Sequence, residues 1–166
     1  MVTEPVLENR GAQNYVAIRK RVNMNDIPAV LPPLIPEVIT WLNENNLNAA
    51  GLCFFHYEAM TNHDELDVAV GLLVPEPVMG NGHMVTGAFP AGRYASILYT
   101  GDYQNMMEGH KALEDWISNN GLQEMRQNTD EGIKWGGRTE FYLTDPDTEP
   151  DPEKWKTEII FLMEDL

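Results

Sequence analysis

Arg93-Tyr94-Ala95-Ser96-Ile97-Leu98-Tyr99, followed by Asp102 and a helical stretch to about residue 120, is the segment whose reading decides the fold. The seven residues read as a strand, and the Asp102 carboxylate is a suitable helix N-cap. Beyond it Met106, His110, Leu113, Trp116 and Ile117 recur at three- and four-residue steps, as one buried helix face requires. Gly121 and Leu122 then make a C-terminal stop, because glycine enters the left-handed region at no steric cost. The same order occurs once before. Residues 15–21 read as a strand, Asp26 offers a cap, and Ile27, Val30, Leu31, Leu34, Ile35, Val38, Ile39 and Leu42 form a helical stripe. Pro32 and Pro33 lie inside that stripe, and an interior proline costs about 3 kcal/mol, so a short opening turn and then a helix over 33–45 is expected.

Two strands follow each helix: 51–57 and 65–74 in the first half, 138–144 and 155–163 in the second. Residues 75–82 read as a connector, 83–88 as a short strand and 123–137 as a polar, Gly-rich loop. The halves echo each other at Tyr15 and Tyr94, at Trp41-Leu42 and Trp116-Ile117, and at Asn45-Asn46-Leu47 and Asn120-Gly121-Leu122. Asp67-Val68 is further aligned with Glu158-Ile159. The expected fold class is α+β: duplicated β-α-β-β units forming a largely antiparallel sheet around a pseudo-two-fold axis. Its two main helices lie on one face, and a ligand cleft occupies the concave face.

With 166 residues the chain reads as one domain over 1–166, its core about 12–164, and no DNA-binding domain. Eleven Lys and Arg against 26 Asp and Glu give a net charge of −15, which repels phosphate backbones and excludes direct nucleic-acid binding as a first reading. The opening residues form no signal peptide and no stretch is apolar enough for a membrane span. The single cysteine, Cys53, sits in an apolar run and fits a buried residue of a reducing compartment, so the expected location is cytoplasmic. Asp145 to Glu153, with alternating prolines, reads as an acidic loop without the spacing of a calcium site. His56, Glu58, His63 and Asp64 match no zinc pattern, and no phosphate loop or nucleophile elbow is present. No cofactor and no metal are expected.

Alternation along residues 138–143 puts Phe141 and Leu143 toward the helices and Glu140 and Tyr142 on the opposite face. Glu158 shares its face with Ile160 and Leu162. Left unpaired in an apolar pocket, a carboxylate there has a raised pKa or demands a cation; otherwise it pairs with Arg93 or Arg138 or sits at a wet sheet edge. Tyr15, Tyr57, Tyr99, Tyr103, Trp135 and Tyr142 fall at strand ends, in loops or on the concave face, and an acidic group ringed by aromatics suits delocalised cations. Trp135, inside the Gly-rich loop, reads as a lid, and His110 as a packed histidine.

Pro90-Ala91-Gly92-Arg93-Tyr94 with Tyr99-Thr100-Gly101-Asp102-Tyr103, Glu140-Phe141-Tyr142-Leu143-Thr144-Asp145-Pro146, and Trp155-Lys156-Thr157-Glu158-Ile159 resemble, in order and spacing, the motifs of the GyrI-like small-molecule-binding domain. This is also the effector-binding domain of bacterial AraC-type and multidrug-responsive activators. The chain departs from it in Phe161-Leu162-Met163, where a proline is common, and in Pro32-Pro33. The resemblance implies a ligand site built on Glu140, Tyr142 and Glu158, with Tyr99, Tyr103 and Trp135 around it, receiving a hydrophobic cationic or aromatic small molecule. It also implies two alternatives. One is hydrolysis of cyclopropane-containing toxins, with Glu158 as general base and Tyr142 or Trp135 orienting the substrate. The other is a gyrase-inhibitor-like module that docks on a protein partner.

Overall fold

A computed structural model describes residues 1–47 and 51–165. Its strands are β1 (Val6–Arg10), β2 (Gln13–Asn23), β3 (Cys53–Thr61), β4 (Glu65–Val74), β5 (Met84–Phe89), β6 (Gly92–Thr100), β7 (Arg126–Thr129), β8 (Gly132–Tyr142) and β9 (Lys156–Leu162). The helices are α1 (Ile27–Val30), α2 (Leu34–Glu44) and α3 (Met107–Asn119). Pro33 sits at the start of α2, where its missing N–H costs nothing, so the prolines divide the stripe into α1 and α2 as its sequence requires. The strands pair in one antiparallel sheet of order β1-β6-β9-β8-β3-β4-β2-β5, with β7 on β8.

That order reads alike outward from its middle: β8-β9-β6 on one side, β3-β4-β2 on the other. A pseudo-two-fold axis therefore passes between β3 and β8, and the duplicated β-α-β-β architecture is present. The hydrogen-bond register makes the symmetry specific. One row runs across six strands through Ile18, Val70, Phe55, Glu140, Ile159 and Ile97. About the axis Ile18 is the mate of Ile97, Val70 of Ile159, and Phe55 of Glu140. Tyr15 and Tyr94 are mates, as their sequence echo predicts. Asp67-Val68 is two residues out of register, since the mates of Glu158-Ile159 are Ala69-Val70.

Both main helices cover the face that carries this row. Val38 and Leu42 of α2 pack on Val16, Ile18, Leu72 and Val74, and Leu113 and Ile117 of α3 pack on Ala95, Ile97, Ile159 and Phe161. The helices also end alike. Asn46 and Gly121 take positive φ, and the amides of Leu47 and Leu122 return to the carbonyls of Leu42 and Ile117 at 2.8 and 3.1 Å. Asp102 caps the 3-10 turn that leads into α3 by accepting from the Gln104 amide.

The helix-free face is concave. Phe89 on β5 lies four strands from β8, about 19 Å along a flat sheet at the usual strand spacing. Its ring nevertheless sits 5.6 Å from Phe141. Curling buries Tyr15, Phe54, Phe89, Tyr94, Phe141, Ile160 and Leu162 against one another. It also explains how two residues suffice to join β1 to β2, and β5 to β6, although each pair lies toward opposite ends of the sheet. Each leading strand thereby covers an outer edge of the other half.

Leu113 is fully buried beneath α3, whereas Met107 at the start of the same helix is 60% exposed. Leu113→Ala is expected to cost about 3 kcal/mol in urea unfolding and Met107→Ala less than about 0.5. Equal costs would contradict the seating of α3.

Candidate functional site

Glu140 is the one charged residue of the six-strand row, and its side chain is 6% exposed. It lies at the middle of the sheet with α3 alongside. His110 presents Nε2 to Oε2 at 2.6 Å, and the Tyr142 and Tyr57 hydroxyls donate to Oε1 at 2.6 and 3.2 Å. An ionised carboxylate only accepts, so the imidazole must place its proton on Nε2 in this arrangement. Burial first, and then the Glu140 charge, hold both phenols well above their ordinary value of 10, which keeps them neutral donors.

No Lys or Arg reaches Glu140 among the described residues. Two other carboxylates show what this chain does when it neutralises one internally. Glu124 takes both oxygens to Arg138, at 2.6 and 2.7 Å, and that guanidinium lies between the rings of Trp135 and Phe161. Glu158 takes both oxygens to Arg10, at 2.8 and 3.1 Å. Glu140 has a histidine and neutral hydroxyls instead.

Aromatic rings extend from the carboxylate in one direction. Tyr142 packs edge-on against Phe55 at 5.0 Å and lies 5.5 Å from Tyr103, which in turn lies 4.5 Å from Trp155. Burial, with nearby Cys53, Asp145 and Glu140 adding to it, pushes the Tyr103 phenol up to about 12. The Trp155 indole donates to the Glu149 carbonyl. The acidic loop therefore packs at the outer end of this aromatic line, where its carboxylates favour an approaching cation.

The structure brings Glu140, Tyr142 and Tyr103 together and separates them from Glu158. The expected facing of β8 is reversed: Glu140 and Tyr142 look toward the helices, and Phe141 belongs to the aromatic core of the concave face. The reason is that β8 is covered on both sides, so alternation of polar and apolar residues no longer marks one face as the inner one. Glu158 pairs across β9 with Phe141 and thus lies on the other side of the sheet. It does carry an arginine, as its setting demands, but the partner is Arg10 of β1 and not Arg93 or Arg138. Tyr99 is 2% exposed in the core under α3, its hydroxyl donating to the Asp102 carbonyl. Trp135 is no loop lid, since residues 126–142 contain the β7-β8 hairpin and its ring stacks on Arg138. Leu143, expected under the helices, is exposed.

His110, read from the sequence as a packed histidine, and Tyr57, named only among the aromatics, are the residues the sequence reading left out of the core site. A signal for His110 existed in the duplication. Matching the helices at Leu42 and Ile117 makes Ile35 the mate of His110, just as Phe55 is the mate of Glu140. The first half thus places an apolar pair where the second half places an imidazole and a carboxylate.

No group of His, Cys, Asp and Glu suited to a metal ion occurs among the described residues, and no helix there is long and apolar enough to cross a membrane. Comparison with curated protein sequences finds no match. Among solved structures, the EcmrR C-terminal domain superposes with a TM-score of 0.75 at 20% identity, covering 98% of each chain. The chain spans 58% of EcmrR as solved in a complex with DNA. SAV2435, solved bound to tetraphenylphosphonium, has a TM-score of 0.65 at 10% identity over 98% of this chain and 94% of that one. A hydrolase from Listeria innocua has a TM-score of 0.61 at 13% identity over 97% and 92%. At these identities the three share the fold. The family model described as GyrI-like small molecule binding domain matches residues 3–163, and the chain belongs to that family.

Proposed function

We propose that this domain binds a hydrophobic organic cation, its charge received by Glu140 and its apolar groups by Phe55, Tyr57, Tyr142, Tyr103 and Trp155. The observation that carries this reading is a buried carboxylate in an apolar row with no Lys or Arg partner. Burying a carboxylate costs several kcal/mol, and neutral hydroxyls offset only part of it. An aromatic-walled site with such a charge favours a delocalised cation over a neutral compound of the same shape. A ligand reaching Glu140 displaces one of its three present donors, and His110, on a helix at the edge of the site, is the one replaced without breaking the sheet. SAV2435, of the same fold, was solved with a cation of this class. Binding rather than hydrolysis with Glu158 as general base is the reading supported, because both oxygens of Glu158 are held by Arg10.

Tetraphenylphosphonium at about a hundred times its Kd is expected to stabilise the protein by about 2.7 kcal/mol, roughly a 6 °C rise in Tm. Glu140→Gln abolishes the rise and Glu158→Gln keeps it. Loss in Glu158→Gln with retention in Glu140→Gln would place the ligand on the opposite face and defeat the proposal.

The burial of this carboxylate has a consequence for stability too. His110→Leu leaves Glu140 with the two phenols alone and is expected to cost about 3 kcal/mol. In the double variant with Glu140→Leu, the cost falls at least ~1 kcal/mol below the sum of the singles. Additive costs in urea unfolding would show that the two side chains do not act on each other.

A further inference from the structure

The concave face is filled by aromatic side chains over its centre but opens toward one end into a cleft of about 470 Å³. Arg19, Lys20, Arg21, Lys134, His56 and Gly136 are among its lining residues. Four of the chain's eleven Lys and Arg thus meet at one place on a protein of net charge −15. Glu58 and Asp67 are the carboxylates among its lining residues, and Glu65 and Glu131 lie near enough to act on Arg21. Glu58 accepts from the Arg19 Nε at 2.9 Å, and Asp67 accepts from the Arg21 Nε and one terminal nitrogen at 2.8 and 3.0 Å. Both carboxylates are thereby occupied, while the terminal nitrogens of Arg19 bond no carboxylate, and Lys20 and Lys134 make no ion pair, among the described residues. Among the lining residues, cationic donors outnumber carboxylates four to two.

Its walls are held by the sheet. The pairing of β3 with β8 shifts register between Tyr57 and Ala59, which stand opposite Arg138 and Lys134. Gly136 falls in the extra length of β8, and its amide donates to the Met125 carbonyl, so the strand bends at the cleft. His56 places Nδ1 at 2.8 Å from the Thr139 hydroxyl. Burial, and then the Arg19 charge, hold its imidazole down to about 4, so it enters the cleft as a neutral ring. The field of the chain's remote carboxylates is screened over about 8–10 Å at physiological salt, so the local balance governs what binds.

We propose that this cleft is a second binding site, for a small oxyanionic molecule carrying phosphate or clustered carboxylates, on the opposite face of the sheet from Glu140. Guanidinium and ammonium groups around a rigid wall are the donors such groups need. The probes are inorganic pyrophosphate and citrate, titrated calorimetrically into the whole chain at low and high ionic strength. Saturable, salt-weakened binding is expected. Lys134→Glu and Arg19→Gln each weaken it about tenfold, whereas Glu140→Gln leaves it unchanged. Preference for pyrophosphate assigns the site to phosphate esters, and preference for citrate to polycarboxylates. Circular dichroism of each variant verifies folding. The proposal is overturned if wild type binds neither probe, or if binding persists in the Lys134→Glu, Arg19→Gln double variant. Because the Glu140 site is read out with a cation, either proposal can fail alone.

Discussion

Phe55 on β3 stands directly across from Glu140 on β8, and the two halves of the molecule meet at that pair. Around it the sheet is apolar along the whole row, from Ile18 to Ile97, and both main helices close over the same face. Removing a carboxylate from water at such a point opposes folding, and the molecule bears that cost where a hydrocarbon would have fitted. The pseudo-symmetry shows as much, since the first half uses Ile35 and Phe55 in the equivalent places. A polar pair set into one copy of a duplicated apolar frame is the feature from which the functional reading grows.

The three acidic groups discussed divide by what neutralises them. Glu124 and Glu158 each have both oxygens on a guanidinium, that of Arg138 and that of Arg10, the latter shared with Glu8. Glu140 receives hydrogens from an imidazole and two phenols, of which His110, on a helix, is the one replaced without breaking the sheet. The difference is one of exchangeability. On the proposed reading, a site that takes up and releases a cation holds no permanent one, and here the arginines sit on carboxylates elsewhere. The cleft on the concave face shows the signs exchanged, with Arg19, Lys20, Arg21 and Lys134 lining it and its two lining carboxylates occupied.

The helices were legible because each buries one stripe: Val38, Leu42, Leu113 and Ile117 stand in phase with the 3.6-residue repeat and are all buried. The repeated strand-helix-strand-strand succession followed from the duplication. Strand facing did not, because β8 is covered on both sides and Phe141 is as buried as Glu140. β1 escaped notice because its residues are mostly exposed and show no alternation, being an edge that covers β6. β7, Arg126-Gln127-Asn128-Thr129, is wholly polar and reads as loop until its partner in the hairpin is known. The Arg10–Glu158 pair joins residues 148 apart, and no local pattern can announce it. Sequence reasoning thus supplied the candidate carboxylates and tyrosines, and the register decided which of them share a face.

The most direct test of the central claim is a crystal structure of the domain with a bound hydrophobic cation. The account predicts the charge centre within about 6 Å of the Glu140 carboxylate and of the Tyr142 ring, with His110 moved from Oε2. A cation seated on the concave face beside Glu158, with the His110–Glu140 contact intact, would contradict it.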